Sequence, residues 1–244
     1  MSLVILEYAD LMSDKDLSQD ILRAYGEGSV GALGVRGIPN WNVMTSQTLP
    51  LAHTLAKLPD AVKDTLQDEA SMYNAGWSFG KEKMGDKPDF AKASFYFNPL
   101  MDNPLPHLRQ EYPWALPANI WPPEEAIPAF KSSCCDIGRV MKEVATALAR
   151  HIDRLLTTRL PGYREGLFHN AIEQSVKVKG RMLYYFPIPP EQMHDPTNSD
   201  NWIAWHNDSG FLTCLAGEVF VEDATGKIID NPEPETAGLW IADR

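Results

Sequence analysis

Basic residues are scarce in this chain of 244 residues. There are 22 Lys and Arg against 33 Asp and Glu, a net charge of -11. A phosphate backbone needs a basic stripe on its partner, so no nucleic acid is expected. Cysteine is scarce too. Cys134, Cys135 and Cys214 form an odd count with one adjacent pair, which is not a disulfide framework. Reduced thiols in the cytoplasm are expected, with Cys134 and Cys135 unpaired on one helix. Neither sits in a CxxC motif, so no thiolate metal site is expected from them. Long hydrophobic runs are missing, and none approaches the length of a membrane span. The N-terminal MSLVILEYADLM lacks the basic n-region of a signal peptide. No membrane partner is expected, and nothing here sets the oligomeric state.

What is present is a hydrophobic fraction of 44%, enough for a sizeable core. Residues 3–8, LVILEY, form a partly β-branched run that predicts a strand. Ser13 is a candidate N-cap for a helix in which Leu17, Ile21, Leu22 and Tyr25 follow helical spacing, and Gly26 ends it. A short Gly-spaced strand, SVGALGVRGIP, comes next. GEGSVG matches GxGxxG through Gly26, Gly28 and Gly31. A dinucleotide site needs a strand before that pattern and a helix after it; here the order is reversed, so it is set aside. Residues 47–75 look helical with breaks at Pro50 and Pro59, and Asp60 is a candidate cap. Residues 76–128 are rich in Pro and are expected to be mostly loop, with FYFNP as packing or as a lid. Ile137, Val140, Met141, Val144, Leu148, His151, Ile152 and Leu155 repeat at threes and fours and predict a long helix over 128–160. After residue 175 the character changes. VKVKGRMLYYFP, WIAWH, FLTCL, EVFVE, KII and LWIA read as short strands between turns, as in a sandwich, barrel or jelly roll.

The stretch WHNDSGFLTCL, residues 205–215, carries the chemistry. His206 and Asp208 are two apart at the expected end of a strand. In extended chain such residues share a face, with Cα atoms about 6.5 Å apart. An imidazole and a carboxylate then converge on one ion with bonds of about 2.1 Å. A further His from a distant strand would complete a facial triad with open positions, the arrangement of non-haem iron(II) oxygenases. Both side chains are expected to point into the β-domain interior.

HNDSGFLTCL resembles the stretch His-x-Asp-x-Gly-x-Leu-Thr-x-Leu of the isopenicillin N synthase-like family of 2-oxoglutarate and iron(II)-dependent dioxygenases. It matches at His206, Asp208, Gly210, Leu212, Thr213 and Leu215. GRMLYYFPIPPE resembles the family's Arg-Leu-Asn-Tyr-Tyr-Pro-Pro strand, with Leu183 where the family has Asn. The resemblance implies an α+β protein: a mainly helical region with short strands over 1–175, and a partial double-stranded β-helix, or jelly roll, over 176–244. It implies Fe(II) held by His206 and Asp208, 2-oxoglutarate as co-substrate with Tyr185 binding its carboxylate, ascorbate as an accessory, and a small-molecule substrate.

One departure stands beside the match. The family's second metal-binding His and its 2-oxoglutarate-binding Arg lie well after the His-x-Asp pair, and no His follows Asp208 here. A C-terminally truncated member is the expectation. His194, His151 and His169 are substitute ligands to weigh, and Arg181 and Arg244 are formal carboxylate partners, although neither stands at the family position. Arg181 is better explained as a strand anchor or half of an ion pair. Two rival readings are a non-catalytic remnant or binding protein on the same fold, and a cupin-like metalloprotein. The scarcity of His in the β region counts against the cupin.

Overall fold

The computed structural model describes residues 2–84, 87–187, 206–208, 210–235 and 237–241. Strand β1 (Val4–Glu7) leads into the one-turn helix α1 (Tyr8–Leu11), helix α2 (Ser18–Tyr25) and strand β2 (Leu33–Arg36). β2 runs parallel to β1, with Val4 opposite Leu33 and Glu7 opposite Arg36. Ser13 does not cap α2, whose N-cap position is Leu17. Ser13 closes the turn after α1, its Oγ donating to the Asp10 carbonyl at 2.7 Å and accepting the Lys15 N–H at 3.1 Å. Asp16 instead accepts the Ser18 N–H at 2.9 Å, satisfying a donor that the first helical turn leaves open. Gly26 ends α2 as expected.

Helices α3 (Trp41–Thr48), α4 (Leu51–Ala56) and α5 (Asp60–Thr65) follow, parted at Pro50 and Pro59. Asp60 is the first residue of α5 and not its cap. The helical reading of 47–75 overreaches, because Met72 and Tyr73 take positive φ of 56° and 59°.

The stretch expected to be loop contains the central sheet. Strands β3 (Gly76–Phe79), β4 (Lys83–Met84), β5 (Lys87–Pro88) and β6 (Lys92–Phe97) fall inside it. β6 pairs antiparallel with β3 on one side and with β7 (Gly180–Tyr185) on the other. A central strand covered on both faces is buried throughout, and β6 is. Its Ala93, Phe95 and Phe97 face Trp77, Ile127, Phe130 and Cys134 in one core. Phe95 and Phe130 meet edge to face with centroids 5.0 Å apart. Its other face carries Lys92, Ser94 and Tyr96. Because β7 pairs with β6, this sheet draws on both sides of the expected boundary at 175/176.

Helix α6 (Pro106–Glu111) precedes α7 (Phe130–Arg159), the long helix that the periodicity predicts. Gly138 lets Pro99 lie against α7; a Cβ there would stand 2.4 Å from the Pro99 Cβ. One stripe of α7 closes the core under β6. Further along, Ala147, Leu148 and Leu155 join Val4, Leu6, Leu11, Leu17 and Ile21 in a second core. Helix α8 (Leu167–Glu173) starts on Asp153 of α7, whose buried carboxylate accepts the N–H groups of Phe168 and His169 at 3.0 and 2.7 Å. Cys134 and Cys135 are buried on α7 and free, as expected, and Cys214 is also free. Burial pushes the Cys134 thiol up.

EVFVE and KII give the antiparallel hairpin β8 (Phe220–Val221) and β9 (Ile228–Ile229), as the strand pattern suggests. FLTCL and LWIA form no strand within 210–215 and 239–241. WIAW and His194 lie outside the described residues, as does Arg244. The chain is thus a mixture of helices and small sheets, α+β in class. Among the described residues no helix is long and apolar enough to cross a membrane.

Candidate functional site

His206 and Asp208 come together. The imidazole Nε2 lies 3.3 Å from Asp208 Oδ1. The other oxygen, Oδ2, accepts the Thr213 hydroxyl at 2.7 Å, and this leaves Oδ1 turned toward the imidazole. The surroundings differ from expectation. Residues 206–208 are in neither strand nor helix, and both side chains are 55% exposed, not directed into a β interior. The physical reason lies in how this tract docks. Leu212 packs on the α2–α7 core, the Phe211 ring meets Phe168 of α8 with centroids 5.7 Å apart, and Cys214 lies against the Met141 carbonyl of α7. The tract is held on the helical layer by its apolar residues, and its polar end faces solvent.

Tyr185 stands elsewhere. It is the last residue of β7, opposite Lys92 of β6, and is 39% exposed. Burial of its ring pushes the phenol up, against the lowering effect of Arg181. The expected co-substrate residue is therefore anchored to the sheet, whereas the expected metal pair is anchored to the helices. Among the described residues, no group of three or more His, Cys, Asp and Glu is arranged to hold a metal. Of the substitute ligands, His151 is buried with Nε2 2.9 Å from the Leu11 carbonyl, and His169 faces Glu173 at 3.3 Å. Both serve the helical layer. Two surface depressions, one lined by Asp14, Ser18, His151 and Arg154 and another by Val35, Ile38, Asn40 and Trp41, include none of His206, Asp208 or Tyr185.

Two polar clusters escape a reading of the sequence. In the first, the Tyr184 hydroxyl donates to Asp223 in the β8–β9 turn. Lys57 Nζ reaches the same carboxylate at 2.8 Å, and His53 Nε2 lies 2.9 Å from the Asp223 carbonyl. Lys57 and Tyr184 hold the Asp223 carboxyl below its ordinary value, and burial with the nearby anion pushes the Tyr184 phenol up. The second lies on the polar face of the central sheet. Glu82 accepts from Tyr96, from Arg181 Nη2 at 2.7 and 2.9 Å to its two oxygens, and pairs with Lys92 at 3.2 Å. Arg181 thus closes an ion pair, the plainer of the two roles open to it. Burial works against the Glu82 charge, but these partners outweigh it and hold the carboxyl below its ordinary value. Burial and Glu82 push the Tyr96 phenol up to about 12. The alternation of Lys92, Ser94 and Tyr96 with Ala93, Phe95 and Phe97 is the signal that could have marked this face.

No family model matches the sequence, and no curated protein matches it. Solved structures do match by fold. A full-length Neurospora crassa protein, crystallised in complex with alpha-KG, superposes with a TM-score of 0.58 at 18% identity, over 78% of this chain and 56% of that one. A Caulobacter crescentus protein assigned to the 2OG-Fe(II) oxygenase family superposes with a TM-score of 0.56 at 18% identity, over 77% of this chain and 57% of that one. This chain therefore spans little more than half the length of either. The likeness is one of fold: the chain shares the architecture of 2OG-Fe(II) oxygenase structures.

Proposed function

We propose that the chain belongs to a non-haem iron(II) oxygenase of the isopenicillin N synthase-like kind, dependent on 2-oxoglutarate and acting on a small organic molecule. The observation that carries the reading is the convergence of His206 Nε2 and Asp208 Oδ1 at 3.3 Å, in a chain with this fold likeness. An imidazole nitrogen and a carboxylate oxygen are the donors that ferrous iron takes. His206 and Asp208 would hold the metal, and Thr213 orients the carboxylate. Tyr185 would donate a hydrogen bond to a carboxylate of 2-oxoglutarate. Bound iron, with 2-oxoglutarate and dioxygen, supplies the oxidation, and ascorbate would keep the metal reduced. The region 176–244 would form part of a double-stranded β-helix resting on the helical region 1–175, in a cytoplasmic protein.

Among the described residues, His206 and Asp208 are two donors and leave most of a coordination sphere to water. Residues 1–244 are therefore expected to bind iron(II) weakly and to release no succinate from 2-oxoglutarate in step with substrate oxidation. A further His, from His194, a neighbouring subunit or additional chain, should tighten the site. Anaerobic iron titration of the wild type, His206→Ala and Asp208→Ala tests the assignment. Weak binding that vanishes in both variants supports it. Tight one-to-one binding indifferent to both substitutions would overturn it. The second reading is a binding protein with an incomplete metal pair, favoured by the lack of a third donor among the described residues. Coupled succinate release by a chain given the extra donor separates the two.

A further inference from the structure

Helix α8 is a short element of 7 residues that buries no side chain. A helix of that length has little stability of its own and takes it from what it packs on. Yet α8 contributes no residue to either core. Polar groups fasten it to α7 instead. At its start, the Asp153 carboxylate accepts the Phe168 and His169 N–H groups at 3.0 and 2.7 Å, and the Tyr163 hydroxyl as well. Along its length, His169 Nδ1 lies 3.2 Å from the Thr146 carbonyl. At its end, Lys142 Nζ donates to the carbonyls of Ile172 and, at 3.2 Å, Glu173. An anion at the first turn and a cation at the last match the helix dipole. Both charges are drawn out of water to do this. Asp153 is 4% exposed, and burial pushes the Lys142 ammonium down. Desolvating two charged side chains to hold a helix that fills no core does not serve stability.

What α8 does present is one ring. Phe168 meets Phe211 with centroids 5.7 Å apart, and Phe211 stands three residues after Asp208. Two further contacts seat the same tract on the helical layer. Leu212 packs on the core that holds Ala147 and Leu148, and Cys214 Sγ lies 3.8 Å from the carbonyl of Met141, the neighbour of Lys142. Thr213 lies between them and donates its hydroxyl to Asp208 Oδ2. Of these three seats, the Phe168–Phe211 contact is the nearest in sequence to Asp208.

We infer that α8 is a mount for the His206–Asp208 pair, with Phe168 a positioning residue that acts through Phe211. As a statement about a metal site it rests on the reading above, and it deepens that reading by naming the element that controls the geometry of the pair. The ring contact itself needs no metal. With Phe211 held, the segment from Asp208 to Thr213 spans a fixed gap, and Asp208 Oδ1 stays turned toward His206 Nε2. With Phe211 released, that segment swings about its remaining seats at Leu212 and Cys214.

The test uses the full chain, first without metal and then in anaerobic titration with iron(II). Cys214 is half-buried under this tract, whereas Cys134 and Cys135 are buried on α7, so native-state thiol labelling reports its docking. Phe168→Ala should speed labelling of Cys214 about fivefold, the contribution expected of one aromatic pair, with Cys134 unmoved. Lys142→Gln, which unfastens the far end of α8, should also speed it, and should add nothing in a Phe168→Ala background. Iron(II) affinity should fall about fivefold in Phe168→Ala and in Phe211→Ala. The double variant should lose no more than either alone, because the two rings act as one contact. Phe168→Tyr keeps the ring and should recover the affinity. Unchanged Cys214 labelling in Phe168→Ala would overturn the proposal. So would iron losses that add in the double variant, or a lowered unfolding midpoint with affinity unmoved. Should Phe168→Ala not fold, Phe211→Ala reads the same contact from a ring that is 73% exposed. Iron binding indifferent to His206→Ala would sink the metal reading and leave the labelling to decide the mount, so the two failures are told apart.

Discussion

The tract from Val4 to Phe186 and the tract from His206 to Ile241 treat apolar side chains in opposite ways. In the first, Leu11, Ile21, Leu55, Phe95 and Phe130 are buried in two cores. In the second, none of the described residues is buried, and Phe211 and Leu239 are 73% and 69% exposed. Exposed apolar residues occur in the first tract too, Met72 and Phe90 among them, and the Phe90 ring meets Phe79 edge to face. Among the described residues, the second tract is held by Leu212 on one core and Val221 on the other, Phe211 on Phe168, Cys214 on Met141, and Asp223 on Tyr184, Lys57 and His53. Buried apolar packing is thus concentrated in one tract, and the proposed metal pair lies in the other. The two properties should be separable by mutation.

The largest effect tests that separation directly. Phe130→Ala removes a ring packed against Phe95 and Trp121 and should cost about 3–5 kcal/mol in urea unfolding, the range for large core truncations. Leu239→Ala, in the second tract, should change stability by less than about 0.5 kcal/mol. Similar losses at the two positions would show that the second tract belongs to the same cooperative unit.

How much of this contrast was legible in the sequence depends on what each residue packs against. Helix α7 was legible because one stripe of it meets a core, and its periodicity survives in the sequence. Gly26 and the prolines at 50 and 59 were legible because they act through their own backbone. β6 was hidden. Both its faces are covered, so FYF looked like an aromatic cluster among prolines and not like the centre of a sheet. The start of α2 is hidden because Leu17 holds the N-cap position without a side-chain cap, and only the local path of the chain brings Asp16 to the Ser18 N–H. Asp153, Glu82 and Asp223 act through partners far away in sequence, and no spacing rule reaches those. His206 and Asp208 were legible as a pair because their contact is local. Their exposure was not, because it depends on how Leu212 and Phe211 dock.

A middle-sized effect concerns the clasp between the tracts. Tyr184→Phe removes the hydroxyl that donates to Asp223. A hydrogen bond to a charged group contributes about 1.5–3 kcal/mol, but Asp223 is partly exposed and solvent-screened, so about 1 kcal/mol is expected. The loss should appear as faster amide exchange at Phe220–Ile229, with β3 and β6 unchanged. The clasp should also depend on pH. The Asp223 carboxyl is depressed in the folded protein by Lys57 first and Tyr184 next. The stability it contributes is therefore fully present above the ordinary value of 3.8 and is lost as the pH falls through the lower folded value. Hairpin exchange should accelerate there in the wild type and much less in Asp223→Asn. Acceleration at the same pH in both would assign the acid sensitivity to other carboxylates.

The smallest effect on stability sharpens the comparison most, because it sits where the proposed metal pair meets the rest of the second tract. Thr213 Oγ donates to Asp208 Oδ2 at 2.7 Å, and the carboxylate it touches is 55% exposed. A hydrogen bond at such an exposed site exchanges with water at little net cost, so Thr213→Val should change unfolding free energy by less than about 0.5 kcal/mol. Its effect on a metal should be larger in proportion. Without the hydroxyl the carboxylate is free to rotate, and Oδ1 no longer faces His206 in one fixed orientation. Partners that orient metal-binding side chains typically contribute about 10–100-fold in affinity, and a solvent-exposed pair belongs at the low end. Iron(II) affinity should therefore fall about tenfold in Thr213→Val with the unfolding midpoint unmoved, and Thr213→Ser should recover most of the loss. Parallel losses in stability and affinity would mean that Thr213 holds the fold of the tract. An unchanged affinity would mean that the Asp208 carboxylate is oriented by something other than this hydroxyl.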